Sequence, residues 1–409
     1  MIKNYKKSFY NIFFKKNNRI YIYNTLNQSC VELTDDEYTQ YKNLQLDNEQ
    51  CQALESLGII VKKGVNEKQQ YLNISNENLP LFVRILTTTA CNAKCHYCYE
   101  NGAKIYTIDT TLADKIVDRI IYALKCSNYH SLHVQWFGGE PLLNVNIISY
   151  ISAKVKEFCM LNNYKFFSTI VTNGSLINDD IINLSLNEWN TLKYQITIDG
   201  MKREYEDIKK YNFDNGFEIV LNNIKKLAQN NINVSIRLNY SQDNYVSICK
   251  LIKFLKNQFG NNDKIKVYAF RIFENENNKH TQNDIKIDKI VYKCLIKNGF
   301  YDALNNFTTT IKDNCVAVRK NNMVINANGD ILKCSRAIND NFSVVGNIDS
   351  LEYNTSNLDI WENNELAPEC KKCKFLTICG GGCKYDKIKG NEHCPLSPKL
   401  IKFLLKQSL

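Results

Sequence analysis

From Leu81 onward, short apolar runs alternate with longer stretches in which apolar side chains recur at helical spacing. The runs Phe82 to Leu86, His133 to Trp136, Ser168 to Thr172, Tyr194 to Ile198, Val234 to Leu238 and Val267 to Ile272 read as strands. Between them, Asp114 to Leu124 sets Ile116, Ile120, Ile121 and Leu124 on one helical face, and Phe217 to Ala228 reads as a second helix. Strand and helix in alternation imply an α/β fold, a parallel sheet with helices outside it, and active-site residues at the C-terminal ends of the strands.

Residues 1 to about 78 follow another pattern. Phe13 and Phe14, then Ile20 to Tyr23, form two short candidate strands around an Asn17-Asn18 turn. Cys30 to Leu33 is a third, running into Thr34-Asp35-Asp36-Glu37, the signature of a capping box. A second helix is expected from about Asn48 to Leu57 with Gly58 as its cap, and Ile59-Ile60-Val61 as a returning strand. Gly64 to Leu79 reads as a polar linker, and Glu274 to Asp288 as a loop leaving the repeated units, with helical residues after it. Three domains follow: 1–78, 79–300 and 301–409.

A length of 409 residues is ample for such a division. No apolar run approaches membrane-spanning length, and MIKNYKKSFYNIFFKK lacks the apolar core and cleavage site of a signal peptide. A cytoplasmic protein is expected, with no membrane partner. The net charge of +10 raises nucleic acid as a partner, but the lysines are scattered and no nucleic-acid motif is present. A solvated basic surface, with some attraction for an acidic peptide segment, is the reading left. In a reducing compartment, 16 cysteines argue for metal ligation over disulfides. Ten fall into two ordered groups, while Cys30, Cys51, Cys126, Cys159, Cys249 and Cys294 stand alone and read as buried thiols.

In TTTACNAKCHYCYE, Cys91, Cys95 and Cys98 stand close enough to converge on one centre. Three thiolates suit an iron–sulfur cluster that leaves one iron open to a small molecule. The alternatives are a structural zinc site, which wants a fourth ligand such as His96, or inert buried cysteines. CxxxCxxC in a Tyr-Cys-Tyr context directly after a strand resembles the signature of radical S-adenosylmethionine (SAM) enzymes. The resemblance implies a partial (β/α)6 barrel, a [4Fe–4S] cluster on these three cysteines and SAM chelated by its fourth iron, with Tyr97 beside it. Trp136-Phe137-Gly138-Gly139-Glu140-Pro141 is similar to the family's SAM motif, so Gly138, Gly139, Glu140 and Pro141 are implied SAM contacts. Asn173 and Asp199, in strand-terminal turns, are candidates for ribose or substrate contacts. Arg237 is a candidate for the SAM carboxylate or for a structural ion pair.

The second group is Cys315, Cys334, Cys370, Cys373, Cys379, Cys383 and Cys394, in the order C-x13-G-x4-C, then C-x2-C-x5-C-x3-C, then C. It resembles the SPASM extension of peptide-modifying radical SAM enzymes. That resemblance implies one auxiliary [4Fe–4S] cluster on Cys370, Cys373, Cys379 and Cys394, and another on Cys315, Cys334 and Cys383. The N-terminal unit resembles the winged-helix-like peptide-recognition module of enzymes that modify ribosomally made peptides. Two departures bear on function. Asn321 stands where some relatives carry a further ligand, which leaves an open iron, and Ser335 stands where sulfatase-maturing relatives carry an aspartate base. The expectation is a maturase with three [4Fe–4S] clusters and SAM, acting on a precursor peptide with a leader segment and fed by a flavodoxin- or ferredoxin-type donor. Its expected product is a thioether between cysteine sulfur and carbon. Carbon–carbon linkage, epimerisation, formylglycine formation and a non-catalytic iron–sulfur carrier or scaffold are the rivals.

Overall fold

The computed structural model describes residues 4–73, 79–100, 102, 104–272, 281–304, 315–350, 352–363, 365–391, 394 and 397–408. Strand β1 (Tyr5–Lys7) precedes an antiparallel meander of β2 (Asn11–Lys16), β3 (Arg19–Asn24) and β4 (Ser29–Leu33). Asn17 and Asn18 turn the first hairpin at φ of 48° and 60°, a left-handed geometry that asparagine tolerates. Thr34 and Glu37 then form the capping box of α1 (Asp35–Asn43), and α2 (Asn48–Ser56) ends at Gly58, whose φ is 65°. β5 (Ile60–Lys62) returns to pair with β1.

The meander is covered on both faces. Ile22 and Leu33 share a small core with Tyr41, Leu54 and Ile60, whereas Ile12, Phe14 and Tyr23 on the opposite face join the main core of the molecule. The polar stretch expected as a linker holds a helix instead, α3 (Glu67–Leu72). Its Glu67 carboxylate accepts from Ser8 Oγ and Phe9 N, and Tyr71 is buried. These long-range partners fold a segment whose composition reads as solvated. Residues 74–78 of that stretch lie outside the described residues.

The expected strands form β6 (Leu81–Leu86), β7 (Ser131–Phe137), β8 (Lys165–Thr172), β9 (Thr191–Thr197), β10 (Asn233–Tyr240) and β11 (Ile265–Arg271), paired parallel in chain order. Between them lie α4 (Thr110–Lys125), α5 (Val145–Leu161), α6 (Asp179–Asn187), α7 (Lys202–Lys209), α8 (Gly216–Gln229) and α9 (Tyr245–Phe259). This is the parallel sheet with helices outside it that the pattern predicts, in the partial-barrel arrangement that the resemblance implies. After β11, α10 (Gln282–Lys297) starts inside the stretch expected as a loop. Thr281 caps it, and Asp284 and Asp288 are buried against Arg271, so the polar residues here serve an ion pair. Residues 274–280 of that stretch lie outside the described residues.

The C-terminal region extends the same sheet. β12 (Asn322–Ile325) pairs parallel with β6, followed by antiparallel β13 (Asp330–Leu332) and β14 (Val344–Asn347), giving nine strands in the order β11-β10-β9-β8-β7-β6-β12-β13-β14. The last helix, Pro398–Ser408, packs on α10 and β2, and Leu400, Ile401 and Leu404 are buried in the main core. Among the described residues, no helix is long and apolar enough to cross a membrane.

Candidate active site

At the C-terminal end of β6 the chain leaves the sheet through Thr87 to Ala90 and enters the cysteine loop. The loop after β7 lies directly on this exit: Gly139 N donates to Thr88 O (3.0 Å) and Glu140 N to Ala90 O (2.8 Å). A Cβ added at Gly138 would stand 2.2 Å from Thr88 O, and one at Gly139 2.3 Å from Ala90 O. Any side chain there would push the two segments apart. The close approach these glycines permit is backbone to backbone. Pro141 is buried, and its carbonyl accepts from Thr87 Oγ1 (3.1 Å).

Glu140 is fully buried. Its Oε1 accepts from Thr172 Oγ1 (2.6 Å) and Leu142 N (3.1 Å), and its Oε2 from Asn173 N (2.8 Å). Burial raises its pKa against these three bonds. The carboxylate staples the loop after β7 to the end of β8. Asn173 carries the connection onward, donating to Asn92 Oδ1 (2.7 Å), while Asn92 donates to Ser175 Oγ (2.9 Å). One side of the cysteine loop is fixed in this way.

Its other side rests on α7. Tyr97, between the second and third cysteines, donates to Asp199 Oδ2 (2.8 Å). Lys209 Nζ lies 2.9 Å from the same oxygen, with the lysine side chain 4% exposed and the aspartate 0%. The Lys209 carbonyl accepts from Lys94 N (2.7 Å), and Asn239 Nδ2 donates to the Tyr97 hydroxyl (3.3 Å). Burial opposes the Lys209 charge, but Asp199 and Tyr97 outweigh it and hold its pKa well above the ordinary value. Sequence reasoning missed Lys209 because it is one basic residue among several in and just after α7, and nothing in the local pattern marks it as inward. Asp199 Oδ1 is buried without a hydrogen-bond partner among the described residues.

Further into the barrel, Arg237 donates through Nε to Asn239 Oδ1 (2.9 Å) and lies 4.0 Å from the Phe270 ring centroid. Among the described residues it has no carboxylate partner. Arg84 of β6 donates to Gln135 Oε1 (2.7 Å) and to Ser335 Oγ (2.5 Å), linking the barrel strands to the residue after Cys334. The Asn321 side chain donates to Pro80 O (2.7 Å).

The cysteines sit within electrostatic reach of one another in three sets. Cys95 and Cys98 neighbour Cys91, whose thiol burial pushes up to about 11. Cys373 and Cys394 neighbour Cys370, and all three neighbour Cys379. Cys315 neighbours both Cys334 and Cys383. Among the described residues, no three His, Cys, Asp or Glu side chains converge tightly enough for a single metal ion. A cluster, whose thiolates bind separate irons, needs wider spacing than one tetrahedral zinc. Three thiols without a fourth cysteine, at the sheet's C-terminal end, fit a [4Fe–4S] cluster with one open iron.

Residues 85–255 match the family model of the Radical SAM superfamily. Residues 85–255 thus carry a radical SAM domain, and the superfamily that the domain defines uses SAM and a [4Fe–4S] cluster. An uncharacterized protein of Methanocaldococcus jannaschii is 29% identical over 268 residues, covering 64% of this chain and 86% of that protein. The sporulation killing factor maturation protein SkfB of Bacillus subtilis is 25% identical over 43% of this chain, and the match spans only 39% of SkfB. Among solved structures, the anSMEcpe chain with bound AdoMet and Kp18Cys peptide superposes with a TM-score of 0.61 at 18% identity, over 80% of this chain and 96% of that one. Streptococcus suis SuiB bound to precursor peptide SuiA gives 0.54 at 17% identity, over 96% of this chain and all (100%) of SuiB. These last two likenesses establish the fold.

Proposed function

We propose that the chain is a peptide maturase that joins a cysteine sulfur of a ribosomally made precursor to carbon. The observation that carries this reading is the second cysteine array. Its neighbours divide into a set of four and a set of three, and the three-thiol set adjoins Ser335, which Arg84 reaches from the barrel. With the Asn321 amide held by Pro80, three cysteines would leave one auxiliary iron open for a substrate thiolate. Peptide-bound relatives of the same fold support a peptide substrate.

When bound, SAM and its cluster supply a 5′-deoxyadenosyl radical that takes a hydrogen atom from substrate. The chain's own part is placement: Asn173 and Asn92 hold one flank of the cysteine loop, Lys209 and Asp199 the other, and Glu140 fixes the loop that faces it. Ser335, donor or acceptor but no general base, disfavours formylglycine formation. The leader would add as a strand to β4, which pairs only with β3 among the described residues.

Anaerobic enzyme with reductant, SAM and a short precursor peptide should yield 5′-deoxyadenosine and a product lighter by two hydrogens, with tandem fragmentation locating a sulfur-to-carbon bond. An unchanged mass with deuterium uptake would instead indicate epimerisation. Replacing Cys91, Cys95 or Cys98 by alanine should abolish SAM cleavage while leaving iron in the C-terminal region.

A further inference from the structure

Two of the cysteines that read as isolated in the sequence meet on the outside of the barrel. Cys249 of α9 faces Cys294 of α10 with the sulfurs 2.8 Å apart. Non-bonded sulfurs rest farther apart than this, and a thiol is only a weak hydrogen-bond donor. Packing imposes the approach: Leu251, Ile252 and Leu255 of α9 and Val291 and Leu295 of α10 are fully buried around it. Both thiols are half-buried, hence reachable from solvent.

The two sulfurs are chemically unequal. The contact between the two sulfurs, together with exposed Lys293 and Lys297, lowers the Cys294 pKa, while the same contact and burial raise that of Cys249. One sulfur is thus disposed to attack and the other to resolve.

We propose that Cys249 and Cys294 form a dithiol–disulfide site that small disulfides oxidise, closing a covalent link between α9 and α10. The Cys294 thiolate attacks one sulfur of oxidised glutathione, whose S–S bond breaks and releases one glutathione thiolate. Cys249 gives its proton to solvent and attacks the mixed disulfide, releasing the second. Two protein thiols lose two electrons, and one glutathione disulfide becomes two thiols.

The test uses the iron-loaded protein, incubated anaerobically with oxidised glutathione, alkylated and digested with trypsin. Mass spectrometry should find peptide 238–250 joined to peptide 294–297, two hydrogens lighter than their sum and separated again by dithiothreitol. Cys249→Ser should stop at glutathione on peptide 294–297. Cys294→Ser should leave Cys249 open to alkylation and react about tenfold more slowly than the unmodified protein, because the thiol that remains is the one burial keeps protonated. Recovery of both cysteines fully alkylated from the unmodified protein, or of separate glutathione adducts without a link, would overturn the proposal.

Discussion

Lys209 and Asp199 set the energetic stakes at the scale of single residues. An ion pair this deeply buried is weak evidence of net stability, but removing one partner strands a charge without water. Lys209→Met should therefore destabilise the protein by about 3–5 kcal/mol, and adding Asp199→Asn should recover most of that loss. Denaturant melts of the two variants against the unmodified protein check both; a double variant no better than Lys209→Met would place the cost elsewhere. The pair also carries Tyr97, whose hydroxyl donates to Asp199 and accepts from Lys209, so the single variant should lose iron from the SAM-cluster site first. Iron content and the electron paramagnetic resonance signal of the reduced cluster would report it.

Between elements, the glycine loop and the barrel interior give two further expectations. Gly139→Ala would drive a methyl group into the Ala90 carbonyl, and parting two well-packed backbone segments costs roughly 1–3 kcal/mol. SAM cleavage should fall with it, because the displaced segment leads directly into Cys91; undiminished 5′-deoxyadenosine production would contradict this. Inside the barrel, His133 stacks on Phe167 and bonds to Thr169, and burial, with Lys193 and Arg84 nearby, lowers its pKa to about 4. Above pH 6.5 the ring is neutral folded or unfolded and contributes no pH dependence. As the pH falls from 6.5 toward 4 the unfolded chain takes up a proton that the fold refuses, a loss on the order of 3 kcal/mol over the full window. His133→Phe should flatten the stability profile between pH 6.5 and 5.

Across the whole molecule, the N-terminal module and the C-terminal cysteine region hold each other. Thr25 Oγ1 donates to Lys374 O (2.7 Å), Thr377 Oγ1 to Thr25 O (2.9 Å) and Lys374 Nζ to Asn11 O (3.1 Å). Lys374 follows Cys373 directly, so metal there should stabilise the docking of the module that we assign to leader binding. Stripping the iron with a chelator should speed hydrogen exchange at residues 373–379 and at 11–25 together. Faster exchange in the first segment alone would mean that the two are uncoupled.

Cysteine spacing and the alternation of strand with helix were legible along the chain, since both are set by residues only a few positions apart. The same holds for the Asn17-Asn18 hairpin and the Thr34 capping box. The tertiary structure decided what depends on distant partners: α3, folded by Glu67 reaching Ser8; β12, laid on the open edge of β6; and Cys249 brought to Cys294. It also decided what surrounds the first cysteine loop. Sequence marked Cys91, Cys95 and Cys98 as ligands because their chemistry is carried by type and spacing. That Lys209, Asp199, Glu140 and Asn173 brace them follows only from packing, which sets residues far apart in the chain side by side where water is excluded.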